Sequence, residues 1–189
     1  MSSSSIIDER HTLNTSLQHV LEHTATKGSW YGGGSAAALT CAVSAALVEK
    51  LARRRQTIAA ARGIRLRCAR LMDEDAQAFA CVIRALAERP RLFPSRLKSA
   101  IEIPAQVHDD AHLVLRLVRQ TKQTIPPRYH VDLQCAEAIA IAAAQSAQAL
   151  IKTNLAWLNE PAYAKRMRRR LASAKPRLRS GEARLASRS

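Results

Sequence analysis

The sequence predicts an all-α protein, a single helical bundle of five to six helices. Three observations carry that prediction. Alanine and leucine dominate a 47% hydrophobic share while aromatic residues contribute only 4%. β-Branched runs are few, and the 189 residues include only 6 glycines. Long segments repeat apolar residues at intervals of three and four, the period of a helix with one buried face. Residues 1–175 are expected to form the bundle, and residues 176–189 a basic, disordered tail rich in Arg and Ser.

A first helix is expected from about Ile6 to His23, with Leu13, Leu17, Val20 and Leu21 at helical spacing. A loop through Gly28 and Trp30 leads into Gly32-Gly33-Gly34-Ser35, and a second helix follows from Ser35 to Arg55, with Ser35 as its N-cap. The third covers Thr57 to Glu88, with a stripe of Ile64, Cys68, Leu71, Met72, Phe79, Val82, Ile83 and Leu86, and stops at Pro90. The fourth spans Ser95 to Lys122, where Pro104 should kink or restart it. After Pro126-Pro127, a fifth helix from Val131 to Leu158 is small and apolar nearly all round, which suits the bundle centre or a subunit interface. Pro161 is placed to open a sixth helix over Ala162 to Ala172.

No uninterrupted apolar run approaches the roughly 20 residues of a membrane span, and the N-terminus lacks the pattern of a secretory signal, so a cytosolic protein with no membrane partner is expected. The net charge of +15 favours polyanions: nucleic acid, or a substrate with several carboxylates. Without interleaved aromatics the arginines imply at most nonspecific nucleic-acid association through the basic tail. Arg53-Arg54-Arg55 reads as a basic end of the second helix, favoured by its dipole. Cys41, Cys68, Cys81 and Cys135 have no metal-ligand spacing and read as small buried apolar residues. His108 and His112 share a helix face that reads as solvated, and no metal site is expected.

Chemistry concentrates in a few places. The three glycines allow close approach of a neighbour or ligand, and the helix start beside them offers unpaired N–H groups to an anionic or carbonyl oxygen. Asp75 lies three residues after Met72 and four before Phe79, at the edge of the apolar stripe, whereas Asp73 and Glu74 point elsewhere. A desolvated carboxylate has a raised pKa suited to general acid–base work. The same position equally suits an aspartate that caps a neighbouring helix or pairs with an arginine. Asp132 reads as a first-turn residue of the fifth helix, and Asn154 as an amide free to bond backbone groups or a heterocycle. Glu102 and Glu137 need partners if buried.

Taken in order, Gly-Gly-Gly-Ser-Ala-Ala-Ala, Asp73-Glu74-Asp75-Ala76 with Phe79, Glu102-Ile103-Pro104, Asp132 before an Ala-rich helix, and Asn154-Leu155 resemble the formiminotransferase-cyclodeaminase/methenyltetrahydrofolate cyclohydrolase family, up to about Leu171. Tyr31 stands where that family usually has a proline, and Tyr129-His130-Val131 replaces its usual approach to the later aspartate. The resemblance implies a dimeric bundle acting on a tetrahydrofolate derivative without a metal or other cofactor. It implies hydrolysis of 5,10-methenyltetrahydrofolate or deamination of 5-formiminotetrahydrofolate, with Asp75, or failing it Asp73, as proton acceptor. Gly32, Gly33, Gly34, Ser35, Asp132 and Asn154 are the implied substrate-binding residues, and Ala36 and Ala37 the expected wall of a flat pterin slot. A relative that kept the bundle as a folate-binding or assembly protein is the alternative.

Overall fold

The computed structural model describes residues 17–174. Their helices are α1 (Leu17–Ala25), α2 (Gly33–Leu51), α3 (Arg55–Glu88), α4 (Phe93–Lys122), α5 (His130–Leu158) and α6 (Pro161–Ala174). Short 3₁₀ turns at Pro90–Leu92 and Pro127–Tyr129 lead into α4 and α5. The expected helix start at Ile6, Leu13 and the tail 176–189 lie outside the described residues.

Helices α2 to α5 run up-down-up-down, because each connection is too short for anything but an antiparallel return. Their contact faces are made of very small residues. Ala38, Cys41 and Ala45 of α2, with Ala136, Ala140, Ala143 and Ala147 of α5, are wholly buried. Ser44 sits among them, and its hydroxyl donates to the Ala136 carbonyl at 2.5 Å. Small side chains let the helix axes approach closely, and larger ones from α3 and α4 (Ile64, Leu71, Val107, Val114) fill the remaining space.

Helix α3 is 34 residues long against 19 in α2, so it overshoots the start of α2. A second apolar cluster forms around that overhang, where Val82 of α3, Leu97 and Ile101 of α4 and Ile151 and Leu155 of α5 meet Tyr163, Met167 and Leu171 of α6. Arg170 ties α6 to α4 through Glu102 (2.6 Å) and Asp109 (2.8 Å), and the Tyr163 hydroxyl donates to Glu102 at 2.8 Å. Glu102 thus has the partners its position requires.

Several expectations are corrected. Leu17 and Leu21 of α1 are 63% and 56% exposed and only Val20 is buried, so α1 adheres by one residue rather than a stripe. Helix α4 continues through Pro104 without restarting. Arg53 and Arg54 lie in the link just after α2 and Arg55 opens α3, so the cluster is not part of α2, and Arg55 stands at the end of α3 where the dipole disfavours a cation. His108 and His112 are buried, with rings 4.5 Å apart, because their face of α4 turns inward. Cys81 and Cys135 are exposed, while Cys41 and Cys68 are buried as expected. By length and composition α2 is apolar enough to cross a bilayer, contrary to the sequence reading; more than half of it is buried by α3, α4 and α5, which marks a core helix.

Candidate functional site

The start of α2 abuts the middle of α3, and this junction holds the chemistry. Gly28 turns the loop with a φ of 82°, a conformation other residues rarely adopt. Gly32 is extended and forms the N-cap, so α2 begins at Gly33, two residues earlier than expected. Ser35 therefore lies inside the first turn and does not cap it. Its hydroxyl donates across to α3 instead, 2.9 Å from the Met72 carbonyl and 3.2 Å from Asp75 Oδ2. Its backbone N–H also bonds the Asp75 carboxylate.

Asp75 thus occupies the N-terminal end of a helix it does not belong to, where unpaired N–H groups and the helix dipole favour negative charge. Gly34 makes this possible, since a Cβ there would overlap all three terminal atoms of the carboxylate. Burial pushes the Asp75 carboxyl above its ordinary range, and the Ser35 hydroxyl and amide only partly oppose the shift. Among the described residues no cationic side chain is paired with Asp75. A half-buried carboxylate so placed holds a proton more readily than an exposed one and, when ionised, attracts a cationic ligand.

Asp73 takes a different direction. The Tyr31 hydroxyl donates to its Oδ1 at 2.8 Å, fastening the glycine loop to α3. The same ring lies 6.0 Å from that of His23, which attaches α1 to the loop. Asp73 and Asp75 therefore flank the loop, one held by Tyr31 and the other by Ser35.

Helix α5 brings its C-terminal part to the same end of the bundle. A Cβ on Gly33 would rest 3.6 Å from Leu150 Cδ2, an ordinary contact, and Asn154 lies one turn further along the same face of α5. Asp132 is elsewhere. It sits 3.9 Å from Lys50 at the far end of α2, with roughly 33 Å of helix between it and Asn154. One protomer therefore does not bring Asp132 to the site; α2 and α5 run antiparallel, so their opposite ends coincide. Arg53 to Arg55 share that distant end. Ala37 is buried in the core and cannot line a slot, whereas Ala36 is exposed. Among the described residues no three His, Cys, Asp or Glu side chains converge as metal ligands. A groove of about 600 Å³ runs between α5 and α6, past Lys152, Leu155 and Arg168, on the side of α5 turned away from Asn154.

With this geometry in place, comparison with known families is decisive. A family model described as formiminotransferase-cyclodeaminase matches residues 16–173. The chain belongs to that family. Among solved structures it resembles formiminotetrahydrofolate cyclodeaminase from Thermotoga maritima, with a TM-score of 0.77 and 19% sequence identity over 86% of this chain and 89% of that one. At that identity the likeness establishes the shared helical fold. No curated protein sequence matches significantly.

Within the family frame, sequence reasoning missed three residues of the junction. Tyr31 was noticed only as a departure from the family pattern, but it binds one of the two aspartates. Trp30 and Phe79 pack edge to face beside Asp75 with centroids 6.3 Å apart, and they are 41% and 44% exposed. Phe79 satisfies the apolar period of α3, which assigns it to the core; the available signal was that α2 is too short to cover the stripe beyond Asp75.

Proposed function

We propose that this protein is a folate one-carbon enzyme in which Asp75 is the general base. It hydrolyses 5,10-methenyltetrahydrofolate to 10-formyltetrahydrofolate or cyclises 5-formiminotetrahydrofolate with release of ammonia. The observation that carries the reading is the Asp75 carboxylate itself: raised in pKa by burial, held by Ser35 and, among the described residues, without a cationic partner. Family membership and the cyclodeaminase fold supply the substrate class.

Both reactions pass through an amidine-type carbon bonded to two nitrogens, and both need a proton taken from the attacking group. In the hydrolytic direction a water oxygen attacks the methenyl carbon as Asp75 accepts its proton. The tetrahedral adduct then breaks its bond to N5, which takes the proton back from Asp75, while the adduct hydroxyl releases its proton to solvent as the formyl C=O forms. In the deaminating direction the folate N10 attacks the formimino carbon, its proton passes to Asp75, and the proton is returned to the departing ammonia. A carboxylate with an elevated pKa suits both halves of each sequence, since it accepts and returns a proton with little mismatch. Its negative charge also stabilises the cationic form of the substrate, and the low surrounding dielectric strengthens that attraction. The site is built from protein groups, with the folate as substrate.

The dimer implied by the resemblance is part of the proposal. Val43 of α2 and Ile141 of α5 are exposed on adjacent helices, a surface suited to a second copy. Sedimentation of the wild type and of Val43→Glu reads this directly; a wild-type monomer would refute it. The catalytic proposal is tested by the decay of methenyl absorbance and by ammonia release from the formimino substrate. Turnover that Asp75→Asn abolishes in a folded protein supports Asp75 as base, and unchanged turnover removes it from that role.

A further inference from the structure

The unexplained feature nearest the site is the Trp30–Phe79 pair. Trp157 is as open as Trp30, at 41%, but its partner Phe93 is partly covered, whereas here both rings of a touching pair are exposed, in a chain with only 2 Trp and 2 Phe. The other Trp–Phe pair, Trp157 with Phe93, packs at 5.0 Å away from the glycine loop, between the end of α5 and the start of α4. Phe79 is placed differently. It follows Asp75 by one helical turn on the same face of α3, past the point where α2 begins. Trp30 closes the corner from the loop, one residue before the Tyr31 that is anchored to Asp73. Tyr31 also bonds back to Ser29, its N–H lying 3.2 Å from the Ser29 hydroxyl, so Trp30 is held between two tethered neighbours.

We infer that Trp30 and Phe79 form an aromatic corner that binds the flat, cationic part of the substrate and sets it against Asp75. The inference rests on the folate reading above and adds the residues that would recognise the ring. The chemistry is complementary. An amidinium is a planar, delocalised cation, drawn both to the negative face of an aromatic ring and to a carboxylate. The two rings lie 64° apart and touch edge to face, so a flat ring does not enter between them but stacks on the outer side that each leaves open to solvent. Asp75, one turn before Phe79 on α3, supplies the charge, and among the described residues no cation is paired with it, so the site attracts rather than repels a positive ligand.

The test is steady-state kinetics on 5,10-methenyltetrahydrofolate, with calorimetric binding of 5-formyltetrahydrofolate, unreactive and uncharged at its one-carbon unit, alongside. Trp30→Ala and Phe79→Ala should each raise KM about tenfold with kcat within about twofold of wild type, as loss of one aromatic–cation contact predicts. Trp30→Phe should recover most of the loss, which a merely steric role for the indole would not allow. Binding of the formyl compound should weaken less, by about threefold, because it lacks the amidinium and with it the cation–π part of the contact. Melting temperatures and sedimentation accompany each variant. An unchanged KM in Trp30→Ala overturns the inference, as does a Trp30→Phe variant no better than alanine. A variant that loses self-association while KM stays constant overturns it too, by making the pair a subunit contact. If the wild type neither binds nor converts any folate, the functional reading fails and the corner fails with it, a result distinct from folate turnover indifferent to Trp30.

Discussion

Replacing Gly34 by alanine separates the position of Asp75 from the stability of the fold. The new Cβ would overlap the carboxylate carbon and both of its oxygens, so Asp75 must rotate away from the start of α2. Holding a short side chain off its preferred rotamer costs about 0.5–1.5 kcal/mol. Against this, alanine favours the helix by up to about 1 kcal/mol relative to glycine. The buried carboxylate also regains solvent, while Ser35 keeps its bond to the Met72 carbonyl. The net change in stability is therefore within about 1 kcal/mol, a shift of no more than about 4 °C in a domain of this size. Catalysis has no such compensation. Moving a base by about 1 Å commonly costs about a hundredfold, and this displacement is larger. Gly33→Ala is the comparison, because its Cβ meets only Leu150 Cδ2 at an ordinary distance. We expect Gly34→Ala to lose at least about a hundredfold in kcat with nearly unchanged melting, and Gly33→Ala to lose at least about tenfold less than Gly34→Ala. Near-wild-type turnover in Gly34→Ala would show that the Asp75 position does not matter to catalysis. Equal losses in the two variants would show that loop flexibility, rather than the space for Asp75, is what glycine provides.

Further outcomes follow from neighbouring contacts. The folded-state pKa of Asp75 lies above its ordinary 3.8, so between those two values the native state binds the extra proton and stability falls as pH rises. Asp75→Asn removes that slope: the variant should melt no lower than wild type at pH 7, with the difference vanishing below about pH 3.8, and a clear loss at pH 7 would refute the burial argument. Arg67→Ala strips the bidentate partner from Asp110, a carboxylate only 6% exposed, and should cost about 2–3 kcal/mol by chemical denaturation, less than a fully buried pair because Arg67 is itself partly solvated. Tyr31→Phe releases Asp73 and the loop. It should cost about 1 kcal/mol in stability, and limited proteolysis should find the loop opened; an unchanged cleavage pattern would mean that the loop is held by other contacts.

The legible part of this protein follows from local rules. Apolar periodicity placed α3 and α5 to within two residues at either end and Pro161 opens α6, but the small, apolar α5 turns only one alanine face to the core and leaves Val131 and Ile141 exposed, because a helix apolar all round need not be covered all round. Asp75 was singled out because a residue three after one stripe position and four before another must lie beside the stripe. The same reasoning misassigned Phe79, His108 and His112. Periodicity fixes which residues share a face, but the length and orientation of the neighbouring helices decide whether that face is covered. Phe79 lies beyond the reach of α2, whereas His108 and His112 fall under the packed face of α4.

From sequence alone came the helical class, the order of the helices, the glycine-rich entry to α2 and an aspartate at the edge of a buried stripe, since each depends on spacing within one segment. Tertiary structure alone determined that Ser35 turns to Asp75, that Tyr31 holds Asp73, and that Gly34 must lack a side chain. These contacts join residues about forty positions apart, and their geometry depends on the level at which one helix starts against another. The antiparallel course of α2 and α5 likewise brings Leu150 against Gly33, with Asn154 at the same end of the bundle, and carries Asp132 to the opposite end. Side-chain period along one helix carries no information about that level, because sliding two helices past each other changes the partners and leaves each pattern intact.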